Sequence, residues 1–251
     1  MWIDTHCHLD FHPLQTHIHS VMHESRKQGV DAIVIPSVDV HNIDTVISLS
    51  EAYPECCYAL GAHPLFVKTI NPEDLEVLTQ TVRQYNPVAI GETGLDLFVS
   101  KNNIDVQEYY FSEQLRIASE FDLPVIMHVR SAIDLILKHL RRVEVRGGIA
   151  HAFNGSFQQA EQLIERGFKL GFGGAMTNTR ATHLQDLAKS LPIDSIVLET
   201  DAPDMPPFWL QGKAYNQPSE VVRIAQFFAD LRGLNSLELA DIIRANTWQA
   251  L

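Results

Sequence analysis

The sequence predicts an α/β fold, a (β/α)8 TIM barrel, on three observations. Short apolar runs alternate with longer amphipathic stretches along the whole chain. Most of those runs are nearly unbroken in Val, Ile, Leu and Ala, as strands buried on both faces are. The length, 251 residues, suits one such barrel of about 250 residues, so residues 1–251 are expected to form a single domain. A doubly wound open sheet is the main alternative. It would more comfortably carry a Gly-rich first turn of the GxGxxG type, and none occurs.

The strand candidates, in order, are WIDT (2–5), AIVIPS (32–37), CYALG (57–61), VAIGE (88–92), PVIMH (124–128), GIAH (148–151), FKLGF (168–172) and SIVLET (195–200). Helix grammar fills several of the intervals. In NPEDLEVLTQTVRQY, Asn71 is an N-cap, Pro72 takes the first position, and acids occupy the first turn. DVQEYYFSEQLRIASEF follows, and SFQQAEQLIERG ends at Gly167. TRATHLQDLAKSLP and PSEVVRIAQFFADLRG repeat the pattern. Strands alternating with helices imply parallel pairing through right-handed crossovers.

Composition narrows the function classes. Hydrophobic residues make up 45% of the chain and charged residues 20%, an ordinary globular balance. A net charge of −12 argues against a protein that coats duplex DNA electrostatically. It leaves room for a nuclease, because bound divalent ions add positive charge locally. No apolar run approaches the ~20 residues of a bilayer span, and the start MWIDTHCH has neither a basic nor an apolar leader region. Three cysteines, two of them adjacent (Cys56, Cys57), do not suggest a disulfide framework, so a cytoplasmic location is expected. No membrane association and no obligate protein partner are expected.

Chemistry-bearing residues collect at the carboxyl ends of the strand candidates, where barrels of this kind build their sites. In DTHCH, His6 and His8 lie two apart on an extended chain, so they share a face while Cys7 points away as a packed thiol. His63 follows CYALG, Glu92 follows VAI, His128 ends PVIMH, and His151 ends GIAH. SIVLETDAP delivers Glu199 and Asp201. A second His-x-His, His17 and His19 in THIHS, provides a contrast. It lies in a predicted helix, where i and i+2 project about 200° apart, so these two, with His12 and His23, are read as ordinary surface residues. Burying two carboxylates and four histidines together without a cation would be strongly unfavourable. Imidazole plus carboxylate, without thiolate, suits Zn, Mn, Fe, Co or Ni and tolerates Mg. Six candidate ligands exceed the three that one tetrahedral catalytic ion takes, and fit two divalent ions about 3.5–4 Å apart better. Asp4, on the same face as His6 and His8 but deeper, is expected to orient a ligand histidine.

The motifs DTHCHLD, GAHP, GETGLD, PVIMHVR, HAFNGS, GFGGAMTN and LETDAP, in this order and spacing over nearly the whole chain, resemble those of the TatD-type metal-dependent hydrolases, deoxyribonuclease-like members of the amidohydrolase superfamily. The resemblance implies a (β/α)8 barrel and a metal-activated water. His6, His8 and Asp201 would hold the first ion, Glu92 would bridge, and His128 and His151 would complete the second. It also implies that His63 contacts substrate and that Asp201 takes the proton of the attacking water. Arg130, just after a ligand strand, would hold a phosphate or make a structural salt bridge. The GFGGAMTNT loop offers either backbone N–H groups to phosphate or small residues for tight packing. Two segments depart from the family pattern: AYNQP stands where many members have an RNEP-like stretch, and HVRS where many have HSRD. The implied activity is hydrolysis of phosphodiesters, with DNA ends or a small phosphoester as substrate. Alternatives are an amide, ester or lactone hydrolase on the same centre, or a metal-stabilised binding protein without catalysis.

Overall fold

A computed structural model describes residues 1–99, 103–212 and 215–251. Eight strands run β1 (Trp2–Asp4), β2 (Val30–Pro36), β3 (Cys56–Leu60), β4 (Ala89–Asp96), β5 (Val125–Arg130), β6 (Gly148–Ala150), β7 (Phe168–Phe172) and β8 (Ile196–Leu198). Each pairs in parallel with the next, in the order β1 to β8. The ring closes between the end of β8 and the segment after β1. There the amide of Thr5 donates to Leu198 O at 3.2 Å, that of Asp201 to His6 O at 2.9 Å, and that of His8 to Ala202 O at 2.8 Å. This is the barrel that the strand–helix alternation predicts.

The helices are α1 (Ile18–Gln28), α2 (Ile43–Ala52), α3 (Pro72–Tyr85), α4 (Ile104–Glu120), α5 (Ile133–Leu140), α6 (Phe157–Ile164), α7 (Thr182–Ser190), α8 (Val221–Arg232) and α9 (Ser236–Ala250). Caps set several starts as the sequence predicts: Asn71 and Asp74 close a capping box on α3, and Ser156 and Gln159 do so on α6. The structure adds α2, α5 and α9. In the first two, apolar residues that pack on the barrel (Ile43, Val46 and Ile47; Ile133, Ile136, Leu137 and Leu140) sit in short segments rich in Ile, Leu and Val. Periodicity alone does not separate a short helix of this composition from a strand. His17 ends a short 3-10 turn before α1, which carries His19.

Two apolar layers result. A large one lies between sheet and helices, with Phe111, Phe153, Phe168, Phe172 and Phe228 fully buried. A smaller one fills the floor of the barrel: Val34, Ala59, Ala89, Ile126, Ile149 and Val197, closed from below by Ala250 of α9. These floor residues fix where the site must be. Side chains two apart on a strand share a face, one step about 6.6 Å higher. Above Ile126 comes His128, above Ile149 comes His151, and above Val197 comes Glu199. The barrel interior is therefore apolar below and polar above, and the polar layer stands at the carboxyl ends.

Glu92 breaks this alternation. Counting from inward-facing Ala89, residue 92 would face outward. The register of β4 against β5 shifts between Ile90 and Thr93, and an irregularity of this kind re-aims the side chain beside it. Glu92 ends up inside the ring, 2% exposed, and within β4 rather than beyond its end.

Candidate metal centre

After β1 the chain stays extended, and Cys7 bridges to Ala202 in parallel. The Cys7 thiol turns outward into the core and donates to Ala202 O at 3.7 Å. His6 and His8 turn inward. Their Nε2 atoms stand 3.2 Å apart. Two nitrogens each about 2.0–2.1 Å from one tetrahedral ion would stand about 3.3 Å apart. Asp201 Oδ1 lies 3.7 Å from His6 Nε2 and 3.6 Å from His8 Nε2. Asp201 holds a left-handed backbone with φ 54°, as do Ser131 after β5 (58°) and Ala152 after His151 (46°). Such conformations cost a non-glycine residue of order 1–3 kcal/mol and gather at functional sites.

Glu92 stands between this group and a second one. Its Oε2 lies 3.2 Å from His6 Nε2 and 3.5 Å from His8 Nε2. Its Oε1 lies 2.9 Å from His128 Nδ1, 3.2 Å from His151 Nε2 and 3.5 Å from His63 Nε2. The His6 and His151 rings stack at 3.9 Å between centroids. Three sets of side chains are close enough to share an ion: His6, His8 and Asp201; His6, Glu92 and His151; and His63, Glu92 and His128.

The electrostatics favour cations. Burial alone would raise the Glu92 carboxyl, but His63, His6 and His151, together with the contact to His128, hold it well below the usual carboxylate range. Burial, then repulsion from neighbouring histidines, pushes His8 down to about 3; burial likewise takes His63 to about 3. These imidazoles are therefore neutral and offer lone pairs. Burial opposes protonation of His128, yet its contacts with Asp96 and Glu92 raise it; His151 is raised well above its ordinary value by Glu92 and Glu199 against the same burial. Burial lifts Asp201 to about 6 despite the pull of His151 and His6. Where the two Nε2 atoms converge at 3.2 Å there is room for one proton or one cation, and the donor set of imidazoles and carboxylates suits a divalent ion. The residues fit the ions that the sequence implies.

The structure thus brings together His6, His8, His63, Glu92, His128, His151 and Asp201. Asp4 meets the expected ligand His6 through the backbone amide of that histidine and not through its ring. Its carboxyl touches no imidazole. It accepts from the Thr200 amide at 2.9 Å, the Thr200 hydroxyl at 2.5 Å and the His6 amide at 3.3 Å, and so ties β1 to the end of β8. Burial pushes Asp4 up to about 8. Arg130 lies at the rim of a cavity of about 1310 Å³ that opens over the centre. Its guanidinium stacks 4.1 Å above the Phe98 ring. In the GFGG stretch, glycine serves close packing: a Cβ on Gly171 would stand 2.2 Å from Glu199 Oε2, and one on Gly174 would stand 2.3 Å from Met205 O. In AYNQP, Asn216 is buried and donates to Thr200 O and Asp204 O, while Tyr215 is exposed; Ala214 lies outside the described residues. His12, His17, His19 and His23 are all exposed.

The sequence marks Glu199 as a metal-type or acid/base residue at a strand end without a place among the ligands, and does not single out Asp96. Asp96 Oδ2 is 3.1 Å from His128 Nε2, and Glu199 Oε1 is 3.5 Å from His151 Nδ1. Their signal was present: Asp96 lies four residues past Glu92 in GETGLD, and Glu199 two residues above Val197.

Known proteins resemble this chain over nearly its whole length. The family model described as TatD related DNase matches residues 3–251. The metal-dependent hydrolase YjjV of Escherichia coli (strain K12) is 38% identical over 250 residues, covering 98% of this chain and 96% of that one. A metal-dependent hydrolase of Haemophilus influenzae is 33% identical, covering 99% of this chain and 97% of its own. The crystal structure of YjjV, a TatD homolog, superposes with a TM-score of 0.95 at 37% identity, covering 100% of this chain and 97% of that one.

Proposed function

The chain belongs to the TatD related DNase family and is a metal-dependent hydrolase, and from that premise we propose that it hydrolyses phosphodiesters, with DNA ends as substrate, on two adjacent divalent ions. The observation that carries the reading is Glu92, whose two oxygens face two different sets of donors. His6, His8 and Asp201 would hold one ion, His128 and His151 the other, and Glu92 both. Such ions, zinc being one that the donor set suits, lower the pKa of water and draw charge from a phosphoryl oxygen.

The chain's own residues do the rest. Asp201 orients the water and takes its proton. Its place beside His6 and His8 puts it against the first group of ligands. His63, on the Oε1 side of Glu92 and lining the cavity, contacts the substrate. Arg130, at the rim, holds a phosphate away from the reacting one, with the Phe98 ring beneath it. The free cysteines Cys7, Cys56 and Cys57 fit a cytoplasmic setting. Among the described residues, no helix is long and apolar enough to cross a membrane.

A second reading, an ester, amide or small phosphoester hydrolase on the same centre, is favoured by the HVRS and AYNQP segments. They put Val129 and Ser131 at the cavity lining and Tyr215 on the surface, where many family members carry other residues. One screen separates the two. Metal-reconstituted protein is offered single-stranded DNA, duplex DNA, RNA, phosphate monoesters and simple esters, with Asp201→Asn as control. Release of nucleotides from DNA by the wild type, reduced about 10²–10⁴-fold in Asp201→Asn, is the expected result. Turnover of simple esters alone would establish the second reading, and turnover unchanged in Asp201→Asn would remove that residue from the chemistry.

A further inference from the structure

Beside the centre stand two carboxylates outside the proposed ligand set, Asp96 at the cavity lining and Glu199 beneath it. Asp96 and Glu199 are 0% and 1% exposed. A buried carboxylate is costly unless something pairs with it. Among the described residues, the ion-pair partner of each is an imidazole: His128 Nε2 for Asp96 and His151 Nδ1 for Glu199. Among the described residues neither pairs with a Lys or Arg.

Each carboxylate is also anchored by one oxygen. Asp96 Oδ1 accepts the amides of Phe98 at 2.9 Å and Val99 at 3.0 Å, which leaves Oδ2 for His128. Glu199 Oε1 accepts the Ala152 amide at 2.6 Å, and its Oε2 has no hydrogen-bond partner among the described residues. The space Glu199 occupies exists because residue 171 is glycine, where a single added carbon would reach to 2.2 Å from Oε2. The fold thus makes room for a charge that packing does not require. The outer Nδ1 atoms of His6, His8 and His151 all lack a hydrogen bond among the described residues, but that of His151 has a carboxylate oxygen in ion-pair range, Glu199 Oε1 at 3.5 Å, and those of His6 and His8 have none.

We propose that Asp96 and Glu199 are positioning residues for one ion seat only: Asp96 fixes His128 with Nδ1 towards Glu92, and Glu199 fixes His151 with Nε2 towards Glu92. This rests on the reading of His128 and His151 as ligands. A carboxylate accepting the outer N–H of an imidazole fixes its tautomer and ring direction and raises its basicity as a ligand, and losing such a partner weakens a metal site about 10–100-fold. The His6, His8 and Asp201 seat, which lacks such partners, should not respond to either change.

Equilibrium dialysis against zinc, and separately against manganese, with elemental analysis tests the idea on wild type, Asp96→Asn and Glu199→Gln. The expected result is two ions per chain in wild type. In each variant one ion binds about 10–100-fold more weakly while the other is unchanged. Two ions held by both variants with wild-type affinity would overturn the roles of Asp96 and Glu199 and leave the two-ion reading standing. A wild type that binds no divalent ion would fail that reading, and this inference with it. A second readout needs no variant to fold. Two-bond ¹⁵N–¹H spectra of zinc-loaded, histidine-labelled wild type should place the N–H on Nε2 of His128 and on Nδ1 of His151. The opposite placement at either residue overturns the assignment there.

Discussion

The chain carries the pattern His-x-His twice, and the two copies share nothing but the pattern. His6 and His8 follow β1 on extended backbone, and their Nε2 atoms converge to 3.2 Å inside the barrel. His17 and His19 stand at the start of α1 and go separate ways: the His17 ring stacks against Tyr215, with centroids 6.2 Å apart, while His19 Nδ1 lies 2.9 Å from the Tyr53 hydroxyl. Both members of the second pair are exposed. Spacing acquires meaning from the backbone that carries it, since period two brings i and i+2 together and period 3.6 sets them apart. The first pair is also held in place. The bridge between Cys7 and Ala202, and the Asp4 carboxyl on Thr200 and the His6 amide, lock the segment to β8. Among the described residues no strand bridge fixes the second.

This contrast is open to direct attack. The largest effect belongs to His6→Ala or His8→Ala. Removing a ligand exceeds the 10–100-fold cost of removing a ligand's partner, so affinity for one ion should fall by more than about 100-fold. Dialysis with elemental analysis reads it, and retention of both ions would cancel the difference between the two pairs. Next comes Asp4→Ala, which leaves the Thr200 amide, the Thr200 hydroxyl and the His6 amide without their buried acceptor. Each such loss costs about 1–3 kcal/mol, so denaturant unfolding should show a destabilisation of at least about 2 kcal/mol, with weakened metal binding as His6 loosens. A variant as stable as wild type would mean that the Cys7–Ala202 bridge suffices alone. The smallest effect belongs to the double substitution of His17 and His19 by Ala. Exposed positions of this kind stay within about 0.5 kcal/mol, and the number of tightly bound ions should be unchanged. A lost ion would show that the helical pair binds metal after all.

Much of this was legible in one dimension because strand period and barrel topology are both short-range rules. Short apolar runs, PVIM, GIA and IVL, locate β5, β6 and β8, and the rule that barrel sites form at carboxyl ends then selects His128, His151 and Asp201. Helices with caps, α3 and α6, are equally visible. Short helices such as α5 are not, because its five Ile and Leu among eight residues include the alternating set Ile133, Leu135 and Leu137 as well as a helical one.

The tertiary structure alone decided the rest. Glu92 faces the centre because β4 slips against β5 between Ile90 and Thr93, an outcome of pairing between strands that no count along β4 contains. Asp4 serves the β1–β8 closure and not an imidazole because its partner Thr200 is 196 residues away. Asp96 and Glu199 gain their roles the same way, from His128 and His151 on other strands. The sequence by itself determined which residue types arrive at the top of the barrel, since that follows from local periodicity. Which oxygen meets which nitrogen depends on how neighbouring strands register, and register is set by packing between segments far apart in the chain.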